Sequence, residues 1–161
     1  MLFEHTWKYV TSGQKTRTRR LVREGDYAVV DETDPNRPIL QVISTADAGV
    51  PKPLYEVGKT YSVQPGLAKK TMGNIRITAI RRERLQDLTE AEALKELPLT
   101  SLEEGASDAQ WALKIFMGTW NIMNSDPGER WEDNPEVWVL EFEPALKLAP
   151  KKWTRFSRSN L

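Results

Sequence analysis

The chain has 161 residues, a formal net charge of zero at pH 7 and 39% hydrophobic residues, which suits one domain with its own core. It has no cysteine and one histidine, which excludes disulfides and thiolate metal sites and argues against a zinc centre or a histidine-based catalytic triad. No apolar run approaches the roughly 20 residues of a membrane span, and the first residues lack the pattern of a signal peptide. We therefore expect a cytoplasmic protein without membrane contact, metal or cofactor, whose oligomeric state the sequence leaves open.

The charges are segregated along the chain. Residues 1–84 carry an excess of lysine and arginine, residues 85–143 are strongly acidic, and residues 144–161 are basic again. Such a pattern is typical either of a binding face for a polyanion or of faces that neutralise each other in the fold. The neutral total argues against strong nonspecific binding of nucleic acid, whose affinity comes mostly from neutralised phosphates.

The densest polar cluster follows a short predicted helix or turn at 6–12 and covers residues 12–20. If this stretch is extended, side chains alternate between its two faces. The faces are then Thr16, Thr18 and Arg20 on one side, and Lys15, Arg17 and Arg19 on the other. On composition alone, an exposed basic edge strand is the simplest interpretation, because charged edges discourage unwanted strand pairing.

Several apolar runs of the chain indicate β-strands. Tyr27–Val30 and Ile39–Ile43 flank the turn at 34–38 and predict a hairpin, and residues 47–53 are predicted as a loop because of their Gly and Pro content. Further strands are predicted at 60–63, 73–80 and 137–142, since apolar and polar residues alternate there or β-branched residues dominate.

Two helices are predicted in the acidic part. Residues 88–97 carry Thr89 as N-cap with Glu92 three positions later, the pattern of a capping box. The second helix runs from 109 to about 124. Its broad apolar face is expected to hold Trp111 and Ile115, joined by Leu113, Phe116 and Trp120.

Three blocks resemble ASCH domains, members of the PUA-like superfamily. Residues 13–20 resemble the G-x-K-T-x-T-x-R signature of that family, residues 73–80 its central strand and residues 134–142 its closing strand. The resemblance implies an α+β fold, a PUA-like β-barrel with flanking helices. The domain would cover residues 1–145, with an inserted hairpin near 21–57, and residues 146–161 would form a basic C-terminal tail.

PUA-like domains are often RNA-binding modules, so the resemblance implies RNA or a nucleotide-like ligand as partner. The ligand would bind in a basic cleft beside the signature, where cations contact phosphates and bases stack on aromatic rings. The candidate binding residues are Lys15, Arg17, Arg20, Lys69, Lys70, Arg76 and Trp131.

Two alternatives stay open. Some ASCH proteins are small amidohydrolases that deacetylate acetylated cytidines, and the resemblance then implies Lys15, Thr18 and a glutamate, Glu96 or Glu104, as catalytic residues of such an enzyme or of a ribonuclease-like one. The chemistry is coherent, because a lysine with a lowered pKa can activate a hydroxyl. The other alternative is a protein-interaction module that uses residues 21–57 and the tail as contacts.

Overall fold

The computed structural model describes residues 1–97 and 108–145, and these residues form a mixed α+β arrangement, as predicted. Three α-helices accompany seven strands within those ranges. The helices are α1 (Trp7–Thr11), α2 (Glu90–Glu96) and α3 (Asp108–Met123). The strands are β1 (Arg17–Leu21), β2 (Asp26–Val30), β3 (Ile39–Ser44), β4 (Lys52–Glu56), β5 (Thr60–Val63), β6 (Gly73–Arg84) and β7 (Glu136–Ala145). Single 3₁₀ turns occupy Leu85–Asp87 and Trp131–Asp133.

The larger sheet has the strand order β1-β7-β6-β5, and all of its pairs are antiparallel. Its centre is the long pair of β6 and β7, which runs from Asn74 opposite Ala145 to Arg84 opposite Glu136. Strand β6 therefore extends beyond the predicted 73–80 and includes Arg81 to Arg84. The buried residues of β7 include Trp138, which is in the core.

The smaller sheet is the meander β2-β3-β4. The predicted hairpin forms, with Tyr27 opposite Ile43. The predicted loop at 47–53 is wrong at its end, because Lys52 already pairs with Ser44. Pro51 and Pro53 suggested a loop, but β4 is an edge strand of this sheet, where proline costs little because no neighbour needs its N–H.

The two sheets meet where β4 leads into β5. The Gly58 N–H donates to the Ile77 carbonyl at 2.8 Å, and Val42 packs against Ile77 and Trp138 in a shared core cluster. Strand β6 has a bulge between Ile77 and Ala79, which increases local twist at this junction. Among the residues described, the strands form two separate sheets and no closed ring, so the expected barrel is not observed.

The helices pack against the larger sheet. Thr89 caps α2 and forms the predicted capping box with Glu92. In α3, Ala112, Phe116 and Trp120 lie four residues apart and face the core, whereas Trp111 is 45% exposed. The placement of Trp111 on the apolar face was wrong, because a single residue step rotates a side chain about 100° away from the buried stripe.

Two predicted features, Glu104 and the basic tail at 146–161, lie outside the described residues. Within the ranges that are described, no helix combines the length and the apolar character needed to cross a membrane.

Candidate active site

A cavity of about 950 Å³ opens between the N-terminal segment, β1, the end of α2, the second half of α3 and the smaller sheet. This volume lies at the upper end of the range of small-molecule sites, about 300–1,000 Å³. Its polar lining includes Lys15, Thr18, Arg20 and Glu96, and its apolar lining includes Phe3, Leu54, Phe116 and Trp120. The combination of an apolar wall with a few convergent polar groups is typical of a ligand site.

Backbone hydrogen bonds hold Lys15 just before β1. Gly13 has φ +79°, so the chain leaves α1 through a left-handed turn that favours glycine. The Lys15 N–H then donates to the Tyr9 carbonyl at 2.9 Å, and the Thr16 N–H donates to the Lys95 carbonyl at 3.1 Å. The chain at Lys15 is thereby attached to both α1 and the last turn of α2.

The predicted alternation of faces along the signature does not extend to Lys15. Strand β1 begins at Arg17, so Lys15 does not follow the alternation of the strand. Lys15 lines the cavity together with Thr18, Arg19 and Arg20, whereas Arg17 does not line it and forms ion pairs. The interpretation as an exposed basic edge also fails: β1 is an edge strand, but Lys15 and Thr18 are buried.

The amine of Lys15 is only 6% exposed and donates to the backbone carbonyl of Glu96 at 2.7 Å. No carboxylate within the described ranges lies within ion-pair distance of it. Burial lowers the pKa of Lys15 to about 8; the charge of Glu96 opposes this shift, and the guanidinium of Arg20 adds to it. At pH 7 about a tenth of the molecules therefore carry a neutral amine.

Glu96 contacts Lys15 through its main chain rather than through its carboxylate. The residue is 2% exposed at the end of α2, and its carboxylate accepts a hydrogen bond from the guanidinium of Arg19. The predicted acid thus lies beside Lys15, but its side chain is already occupied by an arginine.

Arg19 also lines the cavity and is the centre of an ion-pair network. Its side chain is fully buried and contacts carboxylates of Glu83 and Glu92 as well as Glu96. Further ion pairs join Arg17 to Glu92 and Glu141, and Arg81 to Glu83, Glu92 and Glu141. Moving α2 away from the sheet would leave buried charges unpaired in an apolar environment, which is costly. The network therefore holds α2 on the sheet.

Thr18 and Arg20 complete the polar part of the cavity. Thr18 is 6% exposed, and its hydroxyl has no hydrogen-bond partner in the described part of the chain. Arg20 donates to the Leu2 carbonyl at 2.8 Å, and its guanidinium lies 5.7 Å from the centre of the Phe3 ring. The amine of Lys15 lies 6.0 Å from the centre of the same ring, so one aromatic ring is close to two cations.

The remaining candidate binding residues do not line this cavity. Arg76 pairs with Glu143 at the surface, and Trp131 packs its ring edge-on against Phe116 at 6.2 Å. Arg17 belongs to the network, while Lys69 and Lys70 are exposed in the loop after β5. The structure therefore brings Lys15 and Arg20 together but not the whole predicted set.

Sequence reasoning missed Tyr55 and the role of Arg19. Tyr55, whose pKa is raised by burial, lines the cavity but comes from the segment interpreted as an insertion. Arg19 was expected on a basic face of the signature, and its ion pairs with acidic residues were not predicted. The one signal for the role of Arg19 in the sequence was the acidic helix α2, because the buried carboxylate of Glu96 needs a cation as partner. In the described ranges, no three His, Asp or Glu side chains are grouped in a way that could hold a metal ion.

Comparisons with known proteins support the fold. No family model and no curated protein sequence matches the chain. Among solved structures, an ASCH domain from Lactobacillus crispatus JV V101 matches with a TM-score of 0.52 and 14% identity over 86% of this chain and 69% of that one. A protein of Enterococcus faecalis V583 assigned to DUF984 matches with a TM-score of 0.52 and 12% identity, over 88% and 71% of the two chains. The chain has an ASCH-like fold.

Proposed function

We propose that the chain is a small amidohydrolase that binds a nucleoside- or nucleotide-like ligand and cleaves an acyl amide on its base, as in acetylated cytidine. The observation that carries the proposal is that one cavity holds both the buried Lys15 and the Thr18 hydroxyl, which has no hydrogen-bond partner among the described residues. The resemblance to ASCH enzymes supports the substrate class. Fold alone fixes no chemistry, so the argument rests on these two groups.

The reaction follows from the properties of the two groups. The neutral amine of Lys15 accepts the proton of Thr18 while the Thr18 oxygen attacks the carbonyl carbon. Arg20 stabilises the oxyanion that forms. When the C–N bond breaks, the ammonium of Lys15 returns its proton to the leaving amine. A water molecule, activated by the same amine, then hydrolyses the acyl–threonine ester and releases acetate.

In this scheme Glu96 positions Lys15 instead of transferring protons. Its backbone carbonyl directs the amine, and the bond to Arg19 holds the end of α2 in place. A mutation of the carboxylate should therefore reduce the rate less than a mutation of Lys15 does.

A second candidate function is binding of a nucleotide-like ligand without turnover. The observation in its favour is the ion pair of Glu96 with Arg19, which leaves the cavity without a free acid at this position. Lys15 and Arg20 would then donate hydrogen bonds to ligand oxygens. A continuous RNA strand is less well supported, because Arg17 and Arg76 are neutralised by ion pairs.

The deciding experiment measures deacetylation of N4-acetylcytidine and its 5′-monophosphate by chromatography. Lys15→Ala should abolish turnover, Thr18→Ala should reduce it by at least about 100-fold, and Thr18→Ser should retain part of it. Thr16→Ala is the matched control and should stay close to wild type, since within residues 1–97 and 108–145 Thr16 forms hydrogen bonds through its backbone only. Circular dichroism verifies folding of each variant.

Each outcome decides between the candidates. Binding of the nucleotide by wild type without turnover supports the second candidate and overturns the first. Turnover that survives Lys15→Ala shows that the site is elsewhere. Titration with single-stranded RNA at low salt, with Arg20→Ala/Lys70→Ala as comparison, tests the RNA interpretation, and tight, salt-dependent binding lost in that variant would restore it.

A further inference from the structure

Lys15 lines a cavity of about 950 Å³, and its amine donates one hydrogen bond, to the Glu96 carbonyl at 2.7 Å. When the amine is neutral, one N–H stays on that carbonyl and the lone pair is left for a ligand carbon in the cavity. Ordinary surface lysines lack this arrangement, because hydration by water stabilises their protonated, ammonium form.

Arg20 supplies a fixed cation next to this amine. Its guanidinium has no carboxylate partner in the described part of the chain and is held by the Leu2 carbonyl and the ring of Phe3. Lys15 contacts the same ring, and both residues line the cavity. A ligand with a carbonyl group at one end and an anionic group a few bonds away can therefore reach both cations at once.

We propose that Lys15 is a covalent attachment site, at which small aldehydes that carry a phosphate or carboxylate form a reversible imine while Arg20 binds the anionic group. The amine nitrogen attacks the aldehyde carbon and a carbinolamine forms; its oxygen then leaves as water and a C=N bond replaces C=O. The two hydrogens of the water come from the nitrogen, so no oxidant or reductant is needed. Buried lysines with a lowered pKa are the usual sites of such imines.

The neutral fraction of the amine supports this chemistry. With a pKa of about 8, roughly a tenth of Lys15 is neutral at pH 7, against roughly one molecule in several thousand for an ordinary lysine. This difference raises the rate of imine formation at Lys15 above that of an ordinary exposed lysine.

The test uses pyridoxal 5′-phosphate as probe on the full chain, with pyridoxal as the matched compound without phosphate. After borohydride reduction, peptide mass spectrometry should find the adduct at Lys15, at least tenfold above Lys69 and Lys70. Pyridoxal should need at least about tenfold higher concentration, and Arg20→Met should remove that preference. Glyoxylate, which carries a carboxylate, should compete with the phosphate probe in wild type. Lys15→Arg should give no adduct at this position.

Two results would overturn the inference: labelling spread evenly over the exposed lysines, or a preference for phosphate that survives Arg20→Met. The labelling needs no acetylcytidine, so it is separate from the proposed hydrolysis. A wild-type protein that labels at Lys15 but does not deacetylate keeps this inference and loses the proposed amidohydrolase.

Discussion

The buried amine of Lys15 should reduce stability at neutral pH, and Lys15→Met should reveal this as a change in pH dependence. Below pH 8 both the folded and the unfolded chain hold the proton, and the folded state bears the full cost of burying it. Between pH 8 and the ordinary lysine value of 10.5, the folded chain has lost the proton while the unfolded chain keeps it. The unfolded state then binds more protons, so wild-type stability rises with pH relative to the variant.

The expected magnitude follows from the two pKa values. The interval between 10.5 and about 8 corresponds to about 3 kcal/mol in the free energy of unfolding. The variant also loses the bond to the Glu96 carbonyl, which costs about 1–3 kcal/mol at every pH if the carbonyl stays unpaired. At pH 7 these two effects oppose each other, so wild type and Lys15→Met should have similar free energies of unfolding. As the pH rises, wild type should become more stable than the variant by about 3 kcal/mol.

Urea unfolding followed by tryptophan fluorescence at pH 7, 8, 9 and 10 measures this change. Lys69→Met is the matched control, because Lys69 is exposed, and its difference from wild type should stay within about 0.5 kcal/mol throughout. A difference between wild type and Lys15→Met that is flat from pH 7 to 10 would refute the reasoning about the buried amine.

The ion-pair network makes two further predictions. Arg19→Met should lower the free energy of unfolding by about 3–5 kcal/mol, because it leaves the buried carboxylate of Glu96 without its arginine partner. Arg76→Met, which breaks the exposed pair with Glu143, should cost less than about 1 kcal/mol, and equal losses for both in urea unfolding would contradict the assignment of the network. Burial alone would raise the pKa of Glu92, but Arg19 and the other cations around it lower the pKa below its ordinary 4.5. Its stabilisation is therefore present above pH 4.5 and is lost as the pH falls further, and Glu92→Gln should make thermal unfolding less sensitive to acid over that range.

Local patterns were enough to predict much of the secondary structure. The capping box of Thr89 and Glu92 marked the start of α2, and the alternation of Ile75 and Ile77 marked β6. These signals depend on neighbours a few positions away, which a sequence displays directly. Wrong predictions arose where context overrides the local pattern, as in β4, where an edge position allows Pro53 to lie within a strand.

The sequence alone determined that Lys15, Thr18 and Arg20 are chemically capable residues within one short signature, and that a capped acidic helix carries Glu96. Only the tertiary structure decided what these residues do. Burial of the signature between α2 and β7 placed the amine of Lys15 on a backbone carbonyl, assigned the carboxylate of Glu96 to Arg19, and turned Arg17 away into ion pairs. The reason is that pKa values and pairing depend on desolvation and on charges brought together from distant parts of the chain, and neither is encoded in the spacing of residues along one segment.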